Sequence, residues 1–177
     1  VIVPSKGYFE IIQPILKKYD IPFIADEVIT GLGRTGNLWG SQTYNLEPDI
    51  IVSSKCLTAG FFPMGALIIN EKFAEQFTTI CEEAEEFPHG FTAGGHPVGC
   101  AIALKAIDVI LNEGLLDNVK NISPYFLKRL EDFNEYENIG ETRGVGLMGA
   151  LEMVKEKHTK TPFDPSLSMG DKIANKS

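Results

Sequence analysis

The sequence contains no long apolar run and carries little positive charge. No stretch of about 18 apolar residues occurs, so a membrane-spanning helix is not expected. Lys and Arg together number 16 against 24 Asp and Glu, which gives a formal net charge of -8. A chain without a basic stripe cannot neutralise phosphates, which argues against a nucleic-acid partner. The 44% of hydrophobic residues among 177 is the balance of a globular domain with a core.

Cysteine and histidine are too few and too scattered for a metal site or a disulfide framework. The three cysteines, Cys56, Cys81 and Cys100, are an odd number without CxxC spacing. The three histidines stand at 89, 96 and 158, too far apart for a ligand set. No metal is therefore expected, and unpaired thiols favour a reducing, cytoplasmic location. The chain begins at Val1, so any targeting segment would have to precede it.

Helix and strand patterns alternate along the chain. Helical periodicity and helix-boundary residues predict four helices, at residues 7–19, 71–84, 97–112 and 115–133. Short apolar runs predict buried strands at residues 21–25, 49–52 and 66–69. This alternation is typical of an α/β fold with a mainly parallel sheet and flanking helices. After Gly114 a long charged helix and an apolar strand at Val145–Val154 follow, which predicts two domains, 1–114 and 115–177.

Two of the short predicted strands deliver a charged residue at their carboxyl end. Asp26 follows the first strand, and Lys55 follows the second after two serines. In open α/β sheets the ligand site lies outside the carboxyl ends of the strands, so an acid and an amine are expected in one crevice. For an arbitrary Asp and Lys, a salt bridge that caps the sheet edge is the simpler alternative.

Three motifs surround these two residues. Residues 26–36 read DEVITGLGRTG, residues 48–60 read PDIIVSSKCLTAG with PMGA at 63–66, and residues 89–92 read HGFT with GHP at 95–97. In this order and spacing they resemble the signature of class III (omega) aminotransferases, and the similarity runs over essentially the whole chain. The combination is highly specific, whereas no single motif is.

The resemblance implies a pyridoxal-phosphate (PLP) dependent transferase of fold type I. Residues 1–114 would form the second part of the large PLP-binding domain and 115–177 the start of the small domain. Lys55 would carry PLP as a Schiff base and then move the substrate's proton. Asp26 would bond the pyridine nitrogen and keep it protonated. Val28 would press on the cofactor ring.

A fourth site residue, Thr92, resembles the one that reaches across a dimer to the phosphate of the partner's cofactor. A hydroxyl that merely flanks a helix is the plain alternative. The family often has an aromatic residue and then a serine after this threonine, whereas Ala93 and Gly94 follow here. The phosphate side of the pocket is therefore expected to be looser or differently shaped.

The implied reaction is transfer of an amino group from an amine or omega-amino acid to a 2-oxo acid such as pyruvate. An aminomutase or decarboxylase of the same fold, or a catalytically silent fragment that only folds or dimerises, remains an alternative. The expected partners are these small molecules and further copies of the chain, as a homodimer or a dimer of dimers. Relatives extend beyond both termini, so we expect this chain to be a fragment that is inactive by itself.

Other signals carry less weight. Residues 31–36 form a GxGxxG pattern, but poor helix-forming residues follow, so a dinucleotide site is disfavoured and a tight loop is expected. Arg143 is predicted to lie before a strand, with a structural role. Cys56 is expected to be a small buried residue rather than a nucleophile. The Glu-rich run at residues 82–86 is expected to be a solvated helix end.

Overall fold

The computed structural model describes residues 1–87 and 89–176, and the chain forms two compact units. The first unit is Ser5–Asn118; the second runs from Val119 onward and includes Val1–Pro4. The predicted domain boundary at residue 114 stays a prediction, and the last residue of the predicted second domain lies outside the described range.

The first unit is built on a three-stranded sheet in the order β1-β2-β3. β1 is Ile24–Asp26, β2 is Ile50–Ser53 and β3 is Ala66–Ile69. β1 and β2 are parallel, with Asp26 opposite Val52, while β3 runs antiparallel to β2. The three predicted strands are thus present, and the parallel pair sets both of its carboxyl ends at one edge.

Helices alternate with and follow these strands along the chain. They are α1 (Tyr8–Lys18), α2 (Gly40–Thr43), α3 (Glu71–Ala84), α4 (Pro97–Asn112) and the beginning of α5 (Leu115–Asp132). The two best-predicted helices have clear starts, because a side chain accepts a hydrogen bond from a first-turn backbone N–H at each. Asn70 caps α3 in this way and His96 caps α4.

The buried core of the first unit joins the loops after β1 and β2 to α4. Leu32, Leu57 and Ala103 are its buried members. Half-buried side chains pack around them: Leu38, Trp39, Cys56, Met64, Ala66, Ile107 and Ile110. Cys56 is therefore only partly buried, although it packs with apolar neighbours as expected. The core thus ties the two loops that follow the carboxyl ends of β1 and β2 to each other.

The second unit contains a β-hairpin packed on α5. β4 (Ile139–Val145) and β5 (Met148–Glu156) are antiparallel, and short β6 (Thr161–Pro162) adds to β5 before α6 (Met169–Ala174). The strand predicted at Val145–Val154 is present as β5 but begins three residues later, and β4 before it was not predicted, because the chain reverses after Val145. A turn at Gly146, which has a left-handed φ of 59°, makes the reversal possible.

Arg143 lies within β4 rather than before a strand. Its guanidinium pairs with Glu152 across the hairpin and with Glu141 at 3.4 Å, and it donates to the backbone carbonyl of Val1 at 3.1 Å. The Lys160 ammonium and then the Arg143 guanidinium hold the pKa of Glu141 below its usual value. Arg143 is thus engaged in contacts within the hairpin unit, which fits the predicted structural role.

Candidate active site

Asp26 and Lys55 lie at the same edge of the sheet of the first unit. Asp26 ends β1 opposite Val52, and Lys55 follows Val52 by three residues. Neighbouring strands are about 4.8 Å apart, so the two side chains start from nearby points. Both side chains are exposed. The structure therefore presents a carboxylate and an amine together at a strand-end surface.

The turn after β1 fixes the backbone around Asp26. The Glu27 N–H donates to the Val52 carbonyl at 2.8 Å, which extends the parallel pairing by one residue. The Val28 N–H donates to Asp26 Oδ1 at 3.0 Å. Val28 itself is half-buried, two residues past Asp26. The Asp26 carboxylate is thus oriented by its own turn while remaining exposed.

Lys55 occupies an uncommon backbone conformation. Its φ is 46°, in the left-handed region, at the first residue of a 3₁₀ turn, Lys55–Thr58, here called the Lys55 turn. A non-glycine residue costs about 1–2 kcal/mol in that conformation, so neighbouring contacts must compensate. Ser54 Oγ donates to the Met64 carbonyl at 2.8 Å, and Thr58 Oγ1 donates to that of Phe62 at 2.5 Å. These two hydroxyls hold the following loop against the Lys55 turn.

The segment around the Lys55 turn also packs on the start of α4. The rings of Phe62 and His96 have centroids 5.1 Å apart. A Cβ on Gly99 would come within 2.8 Å of the Phe62 ring, so only glycine allows this approach. His96 Nδ1 accepts from the Val98 N–H at 3.2 Å. The loop after Lys55 is thus supported from both sides.

Glu27 is the site-adjacent residue that sequence reasoning missed. Its side chain is only 2% exposed. It accepts hydrogen bonds from the backbone N–H groups of Gly40 at 2.8 Å and Ser41 at 2.6 Å, and from Thr30 Oγ1 at 2.5 Å. The Asp-Glu pair contained the signal, because successive residues of a strand end point to opposite sides and only one of them can face the site.

Two further features predicted from the sequence are the GxGxxG segment and Thr92. The GxGxxG segment lies in turns, and α2 begins only at Gly40, so the motif does not open a helix. Thr92 lies in an exposed stretch before α4. Its predicted contact involves a partner subunit, so that role stays a prediction. Within residues 1–87 and 89–176, no cluster of three or more His, Cys, Asp or Glu is arranged to hold a metal ion.

Comparison with known proteins identifies the class. The family model for class-III aminotransferases matches residues 1–174, and the chain belongs to that family. The PMP-bound form of an aminotransferase from Vibrio fluvialis is 62% identical, with a TM-score of 0.94 over 99% of this chain and 39% of that one. An omega-aminotransferase from Paracoccus denitrificans is 61% identical, with a TM-score of 0.95 over the same shares.

A curated relative agrees with these structures. A putrescine–pyruvate aminotransferase from Pseudomonas aeruginosa is 44% identical over 164 residues, which are 92% of this chain and 35% of the relative. The predicted fold class, a PLP-dependent transferase of fold type I, is confirmed by the solved structures. The chain spans between a third and two fifths of the length of these relatives. No helix in the described ranges is long and apolar enough to cross a membrane.

Proposed function

We propose that this chain is the part of a PLP-dependent aminotransferase that carries the cofactor-binding lysine and the acid for the ring nitrogen. The observation that carries the proposal is the placement of Lys55 and Asp26 at neighbouring carboxyl ends of two parallel strands. Within a class-III aminotransferase sequence, that pairing of amine and acid is the one the cofactor requires. The reaction would move an amino group from an amine or omega-amino acid to a 2-oxo acid such as pyruvate.

The residues present fit PLP. The pyridine ring carries its nitrogen and its aldehyde at opposite positions, so it calls for an acid at one end and an amine at the other. Asp26 and Lys55 start from adjacent strands, and both are exposed at the same edge. When bound, PLP supplies the electron sink that stabilises a carbanion at the substrate carbon.

The proposal gives a role to each of the four predicted site residues. Lys55 would hold the cofactor through Nζ, and its amine would hold and move the proton of the substrate carbon. Asp26 keeps the ring nitrogen protonated through its exposed carboxylate. Val28 lies two residues past Asp26, and its side chain would pack on the ring. Thr92 would donate to the phosphate of the cofactor bound by the other subunit of a homodimer, within a cytoplasmic enzyme.

The named substrates of a relative support the substrate class. The relative from Pseudomonas aeruginosa is named for putrescine and pyruvate, a diamine and a 2-oxo acid. A terminal amine donor and a pyruvate acceptor are therefore the first substrates to test here. The neighbours named as omega-aminotransferases agree with an amino group that is remote from a carboxylate.

The proposal is tested with the full-length enzyme. PLP is added, excess cofactor is removed, and amino transfer from putrescine to pyruvate is followed as alanine formation. A second sample is reduced with borohydride and digested, and mass spectrometry locates the cofactor label. We expect alanine formation and a label on the peptide that contains Lys55. A label on another lysine, or no transfer from a panel of terminal amines, would refute the proposal.

A further inference from the structure

We propose that Glu27 is a positioning residue that sets the Asp26 carboxylate relative to Lys55. The inference rests on the proposed function, in which Asp26 holds the ring nitrogen and Lys55 holds the aldehyde carbon. Glu27 is not placed to touch the cofactor, because its side chain is buried while that of Asp26 is exposed. Its effect on the reaction must therefore pass through its neighbours.

The first step is the anchoring of the glycine-rich loop, residues 31–40, to the end of β1. The Glu27 carboxylate accepts from three donors, two of which are the N–H groups of Gly40 and Ser41 at the far end of that loop. The third donor is Thr30, at its beginning. A charged acceptor strengthens such bonds, and burial removes the competition from water. One buried carboxylate therefore fixes both ends of the loop to the residue next to Asp26.

The second step is the contact between this loop and the Lys55 turn. Leu32 of the loop and Leu57 of the Lys55 turn are both buried in one core cluster. Arg34 Nε donates to the Cys56 sulfur at 3.4 Å, on the residue directly after Lys55. The loop thus connects the residue after Asp26 to the residues after Lys55, so Glu27 links the two halves of the site.

The packing leaves little freedom in this link. A Cβ on Gly40 would come within 2.7 Å of Thr30 Cβ and 2.9 Å of Glu27 Oε2. A Cβ on Gly31 would come within 2.7 Å of the Glu27 carbonyl oxygen and 3.0 Å of the Trp39 ring. Real Cβ atoms do not approach other atoms this closely, so both positions require glycine. A change in the Glu27 side chain therefore has little room to relax: either a donor loses its partner or the turn that carries Asp26 moves.

Glu27→Gln is the sharpest probe, because it keeps the size of the side chain. The carboxylate meets donors only, whereas an amide would turn its own NH2 group towards at least one of them. One donor then loses its partner or the turn shifts. Glu75→Gln, on the exposed surface of α3, makes the same change in charge and serves as the control.

The experiment is a double-mutant cycle in the full-length enzyme. Glu27→Gln and Asp26→Asn are made singly and together, and both the PLP dissociation constant and kcat are measured. Second-layer partners of functional groups typically contribute about 10- to 100-fold, and we expect a loss of that size in kcat and a weaker PLP affinity from Glu27→Gln alone. In the Asp26→Asn variant the same substitution should change both quantities by less than about threefold, because residues that act through one another are not additive.

Thr30→Val supports the test if Glu27→Gln does not fold. It removes one donor to Glu27 and keeps the side-chain shape, so the same non-additive pattern with a smaller loss is expected. Equal losses with and without Asp26→Asn would overturn the inference and leave a purely structural role. If Asp26→Asn alone changed neither PLP affinity nor kcat, the proposed function would be wrong at Asp26, and the inference would fall with it.

Discussion

Charged side chains lie at both ends of the β1–β2 pair, but they differ in burial and in hydrogen bonding. At the amino ends, Asp49 is half-buried, and its two oxygens accept from the Phe23 N–H and the Asn70 side chain at 2.8 Å each. At the carboxyl ends, Asp26 and Lys55 are exposed. The acid at one end thus holds the fold together, while the acid and amine at the other remain accessible to a ligand.

The amino ends of the strand pair also carry a concave surface. A pocket of about 240 Å³ lies at the amino ends, lined by α1, the strand starts and Lys72. Four of its charged side chains form two ion pairs, Lys17 with Glu47 at 2.6 Å and Lys72 with Asp20 at 2.8 Å. Side chains that are already paired with each other have less capacity to bind a charged substrate. The residue types and their pairing therefore distinguish the two ends of the strand pair better than the shape of the surface does.

The largest contrast is expected between two lysines. Lys55→Ala should reduce amino transfer in the full-length enzyme by at least about a thousandfold, because both the covalent anchor and the proton carrier are lost. Lys72→Ala, at the amino ends, removes a lysine from an exposed ion pair and should leave kcat within about twofold. The measurement is alanine formation from pyruvate, with circular dichroism to confirm that both variants fold. Activity of Lys55→Ala within about tenfold of the parent would remove the distinction.

A smaller contrast is expected from the same substitution at the two acids. Asp26→Asn should leave PLP bound but lower kcat by about a hundredfold, since a neutral amide cannot stabilise the charge on the ring nitrogen. Asp49→Asn should leave kcat unchanged and lower the free energy of unfolding by about 1–2 kcal/mol, because one of its two acceptors becomes a donor. Urea unfolding and steady-state kinetics on both variants test this crossed pattern. A stability loss without a rate loss in Asp26→Asn would make it a structural acid like Asp49.

Sequence patterns predicted the sheet edge because its signals are local. Apolar runs that end abruptly in Asp26 and in Ser-Ser-Lys55 mark both strand ends, and the rule for open sheets places them side by side. The start of α4 was likewise predictable, since Pro97 favours the first position of a helix.

The features that escaped prediction depend on contacts between distant residues. Glu27 reads as a second acid at a strand end, and only the return of the chain to Gly40 and Ser41 shows that it is buried and bonded. β4 of the hairpin in the second unit was missed because its residues, IGETRGV, are mostly polar or glycine and show no apolar alternation. Pairing with β5, rather than the pattern of its own residues, makes this segment a strand.

The smallest expected effect concerns the ion pairs at the amino ends. Hydrogen bonding and attraction from Lys17 and Lys72 hold the pKa values of Glu47 and Asp20 below their usual values. A depressed carboxyl pKa stabilises the fold above the unfolded-state pKa, and this contribution is lost as the pH falls through the folded-state pKa. The loss should therefore begin below about pH 4.5 and be absent at neutral pH.

The test compares the parent with a variant that combines Glu47→Gln and Asp20→Asn. Urea midpoints are measured between pH 7 and pH 3, at low and at high salt. We expect the parent to lose slightly more stability than the variant on acidification, and the difference to shrink in high salt, because exposed pairs are screened. PLP affinity at neutral pH should be the same in both proteins. A change in PLP affinity would mean that the amino ends are coupled to the site, and the contrast between the two ends of the strand pair would no longer hold.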